Sequence, residues 1–227
     1  MRCLALLVLI LAATSAGAQD AEAEKLYRAM EKKILAAKTL AVEFNSKMTV
    51  DEKKFTVKGT IYVAAGNKTR LDLQSEVFQL GGKTLIVTNG DSKYAKVGEI
   101  VFKEGPFPPK GEILIPLIAQ FSATHAALET KTAASDLEKD SPLKNFKLGA
   151  TELVGQQEGQ IVRYQLHEKD TGILAEVTVW IDTKTGLPLK RAVAGNKETK
   201  VGDLTETYSV FQVDSKLDDK LFEIPQK

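Results

Sequence analysis

The clearest structural signal in the chain is a pair of alternating apolar runs around a short polar turn, at residues 176–194. Every second residue from Val177 to Ile181 is apolar, which is the period expected of a strand with one buried face. Residues 182–186 are polar and end in a glycine that can adopt a positive φ, and the apolar alternation resumes at Leu187. This stretch therefore predicts a β-hairpin that is apolar on one side.

The same period recurs along most of the chain and predicts a largely antiparallel β-protein. Strands are predicted at residues 40–44, 55–63, 71–73, 77–80, 84–88, 94–97, 146–153, 160–167 and 199–214, with turns at 51–54, 66–67 and 89–90. The Asn-Gly pair at 89–90 is the strongest turn signal, because both residues accept a positive φ. Eight to eleven such strands would form a curved sheet, whose concave side is either filled by helices or open to a hydrophobic ligand.

An amphipathic helix is predicted at residues 20–38, ahead of the strands. Its apolar residues recur at helical spacing, from Ala23 through Tyr27 and Met30 to Ile34. The opposite side mixes Glu and Lys, whereas a helix that lies on a membrane favours a basic polar side. We therefore expect this helix to pack on the protein's own sheet.

A segment of roughly 35 residues interrupts the strand pattern. Residues 105–111 are rich in Gly and Pro, residues 113–121 are apolar nearly all round, and 122–130 and 135–140 resemble short helices that begin with serine. The predicted helical insert has two interpretations of equal weight: a functional element, or a helix pair that plugs the end of a barrel.

The first 18 residues have the features of a secretory signal peptide. Arg2 precedes an apolar run at 3–13 that is short for a membrane span, and small residues lead to a cleavage site after Ala18. Cys3 would leave with the signal, so the exported chain would contain no cysteine and hence no disulfide and no thiol nucleophile. Residues 19–227 are long enough for one large domain, and no linker is evident.

The remaining chemistry of the sequence points away from catalysis and nucleic-acid binding. Without Arg2 the chain has 30 basic and 30 acidic residues, and a nucleic-acid partner would favour a basic excess. His125 and His167 lack the converging ligands of a metal site, and no serine or cysteine nucleophile motif is present. We therefore expect no catalytic residues, no metal site and no cofactor.

Several short motifs, taken together, resemble the outer-membrane lipoprotein carrier family of the LolA/LolB type, or a periplasmic relative of unassigned role. In order, they are the N-terminal helix leading into 40–44, the Gly-x-aliphatic-aromatic-Val strand at 59–63, the hairpin motif at 89–94, the insert at about 109–140, the hairpin motif at 181–188 and the C-terminal motif at 218–225. The resemblance covers essentially the whole exported chain.

The resemblance implies a mainly β fold with α elements: an unclosed antiparallel half-barrel of about 11 strands, an N-terminal helix and a helical lid insert at about 109–140. It implies an exported, periplasmic and monomeric protein without enzymatic activity. Such proteins carry lipid-modified proteins or other lipids in an apolar cavity, and inner- and outer-membrane proteins are possible further partners. One family feature differs, because the arginine that latches the family's lid corresponds here to Ala65, and Arg70 is a different residue.

The strand parity, read together with the resemblance, selects a set of inward-facing residues for the apolar cavity. They are Val42, Phe44, Ile61, Val63, Leu71, Leu73, Ile115, Leu117, Ile118, Phe121, Val177 and Val179. Each position is equally compatible with a plain hydrophobic core.

Three hypotheses follow, in order of preference. The first is a periplasmic carrier of lipids or acylated proteins, and the second is an envelope sensor or interaction protein on the same fold. The chain ends directly after its C-terminal motif, which leaves no room for the second domain of the regulatory relatives and favours the carrier. A hydrolase with an unrecognised site ranks third.

Overall fold

One antiparallel sheet of eleven strands forms the body of the protein. It is seen in a computed structural model that describes residues 2–50, 53–66, 68–75, 82–89, 93–103, 142–168, 172–195 and 203–225. The predicted lid insert at about 109–140, the strand at 77–80 and most of the turn at 89–90 lie outside these ranges.

A long helix precedes the strands, and a short 3₁₀ helix, Asp219–Phe222, follows them. The elements are α1 (Arg2–Ala36), β1 (Thr39–Val50), β2 (Lys53–Ala64), β3 (Lys68–Ser75), β4 (Lys83–Asn89), β5 (Lys93–Val97), β6 (Ile100–Lys103), β7 (Leu143–Val154), β8 (Gln157–Glu168), β9 (Gly172–Asp182), β10 (Pro188–Gly195) and β11 (Asp203–Val213).

The strand order across the sheet is β6-β5-β4-β3-β2-β1-β11-β10-β9-β8-β7. Strands β1–β6 form one meander and strands β7–β11 a second, and the pairing of β1 with β11 joins the two. Among the strands that the structure describes, β6 and β7 therefore lie at the two edges of the sheet. The unclosed antiparallel half-barrel predicted from the sequence is confirmed.

Most predicted strands agree with the structure, and two local predictions were wrong. Strand β6 was not predicted, because four residues are too few to establish an alternating pattern. Lys53 and Lys54 were assigned to a turn, but they pair with Val50 and Thr49 at the start of β2. Both lysine side chains are exposed there, so solvation of the charge does not oppose a strand conformation.

The predicted amphipathic helix is confirmed as the C-terminal part of α1. Ala23, Tyr27, Met30 and Ile34 are buried, and α1 packs mainly against β7 and more lightly against β8. The helix begins at Arg2 and continues past Ala18 without interruption. Cleavage after Ala18 stays a prediction. None of the helices in the described part of the chain combines the length and apolar character needed to cross a membrane.

Strand register divides the side chains between an apolar face and a polar face of the sheet. The apolar face, which carries α1 at one end, includes Val42, Phe44 and Ser46 of β1, Val57 and Ile61 of β2, Leu71 and Leu73 of β3, Val162 and Tyr164 of β8, Val177 and Val179 of β9, Arg191 and Val193 of β10, and Leu204 and Glu206 of β11. The polar face includes Glu43, Asn45, Lys58, Thr60, Asp72 and Lys96.

The turn between β9 and β10 is organised by one carboxylate. Asp182 is 4% exposed, and its Oδ1 accepts hydrogen bonds from the backbone N–H groups of Lys184 at 2.7 Å and Thr185 at 3.3 Å. Its Oδ2 accepts a bond from Gln157 Nε2 at 3.1 Å, and Gly186 closes the turn with φ 66°. Burial alone would raise the pKa of Asp182, but these hydrogen bonds outweigh burial and lower it.

Replacing Asp182 with asparagine should lower the free energy of unfolding at pH 7 by about 1–2 kcal/mol, because the turn loses hydrogen bonds to a charged acceptor. Since the pKa is lower in the folded protein, this contribution is complete above the unfolded-state pKa of about 4 and is lost as the pH falls through the folded-state pKa. Urea denaturation at pH 7 and at values below 4 measures it. A loss of unfolding free energy that does not change with pH would contradict the lowered pKa of Asp182. Glu176→Gln is the control, because Glu176 is exposed on the same strand.

Candidate functional site

The predicted cavity residues that fall within the described ranges all lie on the apolar face. Seven of them are buried and belong to the hydrophobic core, and Leu71 packs against that core while partly exposed. They form a group on neighbouring strands β1, β2 and β3 and a second group on β9, separated by β10 and β11. The other four predicted residues, Ile115, Leu117, Ile118 and Phe121, lie outside the described residues. A role in ligand binding stays a prediction for all twelve.

The end of the apolar face beneath α1 is filled by an aromatic cluster. The ring of Tyr27 lies 4.7 Å from that of Tyr164 and 5.5 Å from that of Phe146, and the two tyrosine hydroxyls are 3.2 Å apart. Burial raises the pKa of both tyrosines, so both are neutral at physiological pH. The Arg28 guanidinium lies 5.6 Å from the Phe146 ring. This end of the face is therefore hydrophobic core.

A polar row crosses the apolar face at its centre, where β10, β11 and β1 are neighbours. Arg191 pairs in register with Glu206, and Glu206 with Ser46. The Glu206 carboxylate is fully buried: its Oε1 accepts from Ser46 Oγ at 2.8 Å, and its Oε2 accepts from Arg191 Nη2 and from the Tyr208 hydroxyl, the latter at 3.1 Å. Sequence analysis missed this row, although each charge stands in an alternating apolar pattern, between Leu189 and Val193 or Leu204 and Tyr208.

Arg191 and Tyr208 of this row keep their protons over the physiological pH range. Burial alone would lower the pKa of Arg191, but its interactions with Tyr208 and Glu206 outweigh burial and raise it. Burial, which is the largest effect, raises the pKa of Tyr208, and the neighbouring Glu206 raises it further. The side chain of Arg191 is 17% exposed, whereas that of Glu206 is 0% exposed. The accessible member of the pair is therefore the cation.

Beside this row, the Phe44 ring occupies space left by a glycine. A Cβ atom on Gly59 would lie 2.9 Å from Phe44 Cζ, 2.6 Å from Leu73 Cδ2 and 2.7 Å from the backbone oxygen of Asp72. All three distances are shorter than normal van der Waals contact. Only glycine at this position allows β2 to pass between Phe44 and β3.

Replacing Gly59 with alanine should lower the free energy of unfolding by about 1–3 kcal/mol, because the added methyl group would force the neighbouring strand backbone to move. Thermal unfolding measures the loss. Thr60→Ala, one residue along on the polar face, should change the stability by no more than about 0.5 kcal/mol. Equal effects of the two substitutions would show that the packing around Gly59 is not restrictive.

A separate groove of about 880 Å³ lies on the polar face, across β11, β1, β2, β3, β4 and β5. Its charged lining residues are balanced in sign: Glu43, Lys58, Asp72, Lys83, Lys96 and Glu99. Of the predicted cavity residues that the structure describes, only Phe44 and Leu73 are among its lining residues. The groove is therefore distinct from the apolar site that the sequence predicts.

Arg70 faces away from the apolar side and cannot substitute for the family's latch arginine on that face. Its Nε donates to Asp72 Oδ2 at 2.6 Å, and its Nη1 donates to the carbonyl of Leu221 in the 3₁₀ helix at 3.3 Å. Arg70 thus joins the C-terminal segment to β3. Among the described residues, no three His, Cys, Asp or Glu side chains are grouped so as to hold a metal ion.

Comparison with solved structures confirms the fold. The Mycobacterium tuberculosis lipoprotein LppX superposes on 88% of this chain and 98% of its own, with a TM-score of 0.53 and 12% identity. LprF from Mycobacterium bovis covers 84% of this chain and 92% of its own, with a TM-score of 0.50 and 11% identity. MucB covers 90% of this chain and 63% of its own, with a TM-score of 0.50 and 12% identity.

The chain thus shares its unclosed, mainly β fold with LppX and LprF. No protein-family model matches the sequence, and a search of curated protein sequences finds no match. At these identities the likeness concerns the fold alone.

Proposed function

We propose that this protein is a periplasmic carrier that binds lipids or lipid-modified proteins on its apolar face and moves them between membranes. The observation that supports this most is the apolar face itself, which extends across an unclosed sheet from β9 to β3. A soluble sheet normally buries such a face under its own helices, and in the described part of the chain α1 contacts mainly the β7 and β8 end. The other strands of this face carry buried apolar side chains, whose chemistry suits an acyl chain.

The energetics of acyl binding suit a reversible carrier. Burial of each methylene group contributes about 0.8 kcal/mol, so a long acyl chain supplies on the order of 10 kcal/mol before the entropic costs of binding are subtracted. Binding of this kind requires no catalytic group and no cofactor. The fold is shared with a protein described as a lipoprotein, LppX, and we extend the likeness to a lipid-related role only as part of this proposal.

We further propose that residues 1–18 are removed during export and that residues 19–227 form a single, monomeric domain, with the insert at about 109–140 acting as the lid. N-terminal sequencing of the protein recovered from the periplasm should then begin at Gln19. A chain that keeps Met1 would show that the apolar N-terminal run acts as an anchor instead.

Two half-buried leucines on neighbouring strands provide a matched test of the apolar face. Leu71 lies on the apolar face of β3, and Leu85 on the polar face of β4. Detergent-free native mass spectrometry and a fluorescent fatty-acid probe should detect lipid binding in the wild-type protein and in Leu85→Glu. Binding should be lost in Leu71→Glu, provided that circular dichroism shows both variants folded.

Three outcomes of the same experiment would contradict the proposal: two concern the apolar face as the binding site, and one concerns lipid binding itself. Loss of binding in both variants, or in neither, would separate lipid binding from the apolar face. A wild-type protein that holds no lipid and ignores the probe would show that the face is plain core, and the envelope interaction protein would become the preferred hypothesis, to be tested by partner isolation.

A further inference from the structure

The buried ion pair Arg191–Glu206 stands out from its surroundings on the apolar face. Away from the strand ends, these are the only charged residues that the described strands direct to that face. Their neighbours in the same row are Val179 on β9 and Val57 on β2, both buried. Binding of an acyl chain alone does not require charge here.

Stability alone does not account for the pair. Removing two charges from water costs several kcal/mol per ion, and replacing a buried ion pair with apolar residues of similar size is often neutral or stabilising. The Glu206 carboxylate is also the shared acceptor of this cluster, because Ser46, Tyr208 and Arg191 all donate hydrogen bonds to it. Glu206 is thus enclosed by donors, and its bond to Nη2 holds the Arg191 guanidinium in place.

The exposure of the two partners indicates which of them can meet a ligand. Glu206 is inaccessible, and the Arg191 side chain retains 17% of its surface. A guanidinium presents several N–H donors in a planar fork that matches a carboxylate or a phosphate and holds its charge at any physiological pH. Of the two charged side chains, only that of Arg191 retains exposed surface, and its charge is suited to an anion.

We propose that Arg191 binds the anionic head group of an amphiphilic ligand, a carboxylate or a phosphate, while Glu206 holds the guanidinium in place. This rests on the proposed lipid-carrier function and names the ligand class for it. From β10 to β3 the sheet spans four inter-strand spacings of about 4.8 Å, or about 19 Å. Val42, Ile61 and Leu71 are opposite one another in register, and their row lies four residues along β1 from Ser46. An acyl chain that starts at Arg191 and reaches them would therefore cross the strands obliquely.

The test compares ligands that share one alkyl chain and differ in the head group. Palmitic acid, hexadecyl phosphate, hexadecanol and hexadecylamine compete for the full-length protein with a neutral fluorescent acyl probe. The wild-type protein should bind the anionic ligands roughly tenfold more tightly than hexadecanol, as expected for one charge-assisted hydrogen-bonding contact. Hexadecylamine should bind more weakly than the alcohol, and the ranking of acid against phosphate identifies the head group.

The double variant Arg191→Met/Glu206→Gln removes both charges together, so that no unpaired charge stays buried. It should keep its affinity for hexadecanol, which also reports that it is folded, and lose the preference for anions. Arg191→Lys, which retains the charge without the planar fork, should lose only part of the preference. Arg163→Met, on the exposed side of β8, is the matched control and should behave like the wild-type protein.

The outcomes separate this inference from the function on which it rests. A wild-type protein that binds the acid, the phosphate and the alcohol equally overturns the anion site and leaves the carrier intact. A double variant that still prefers anions also overturns it. If the probe does not bind and none of the four ligands binds, the carrier function fails and the anion site with it.

Discussion

Replacing Arg191 alone with methionine should lower the free energy of unfolding by about 3–5 kcal/mol, because the fully buried Glu206 carboxylate would lose its counter-charge. For a domain of this size the melting temperature should fall by roughly 6–20 °C. Differential scanning calorimetry or urea denaturation at neutral pH measures the effect.

The double variant Arg191→Met/Glu206→Gln should recover most of that loss, since it leaves no buried charge without a partner. The cycle completed by Glu206→Gln therefore yields the coupling between the two residues. If the single and double variants were equally destabilised, the cost would come from lost packing of the arginine stem and not from the charge that it leaves behind.

Replacing Phe44 with alanine should lower the free energy of unfolding by about 3–5 kcal/mol. Phe44 is 3% exposed and packs over Gly59, where no side chain can fill the space that a truncated residue would leave. The resulting cavity would lie between β1 and β2 on the apolar face.

Leu153→Ala is the control for this substitution, because Leu153 is 75% exposed on β7 and its truncation should change the stability by no more than about 0.5 kcal/mol. Urea denaturation compares the two. A loss below 1 kcal/mol for Phe44→Ala would show that its surroundings collapse to fill the cavity, and that this part of the face is less closely packed than the burial of Phe44 indicates.

The alternating pattern predicted which side of each strand is apolar, because that depends only on the strand period of two. Val42, Phe44, Val177 and Val179 were placed on one face on this basis, and the register of the sheet confirms that they share it. The amphipathic helix followed from the same kind of periodicity. Short elements escaped this reasoning, and β6, with four residues, was missed for that reason.

The polar row could not be predicted because it depends on which strands are neighbours. Arg191 and Glu206 are 15 residues apart, and Ser46 is 160 residues from Glu206. Taken singly, each is a polar residue in an apolar alternation, which is common at strand ends and edges. Only the pairing of β10 with β11 and of β11 with β1 turns three scattered exceptions into one cluster.

The pairing of β1 with β11 also has a consequence for how the chain folds. All other neighbouring strands in the sheet are consecutive in sequence, so each meander is built from local contacts. Joining the two meanders requires contacts such as Ser46 to Glu206, which close a very long loop and raise the contact order of the protein. Folding should therefore be slower than that of a simple meander, with the union of the two half-sheets as its late step. Because a shift of one residue would turn the charges of β11 toward the polar face, the polar row helps to select the correct register at that junction.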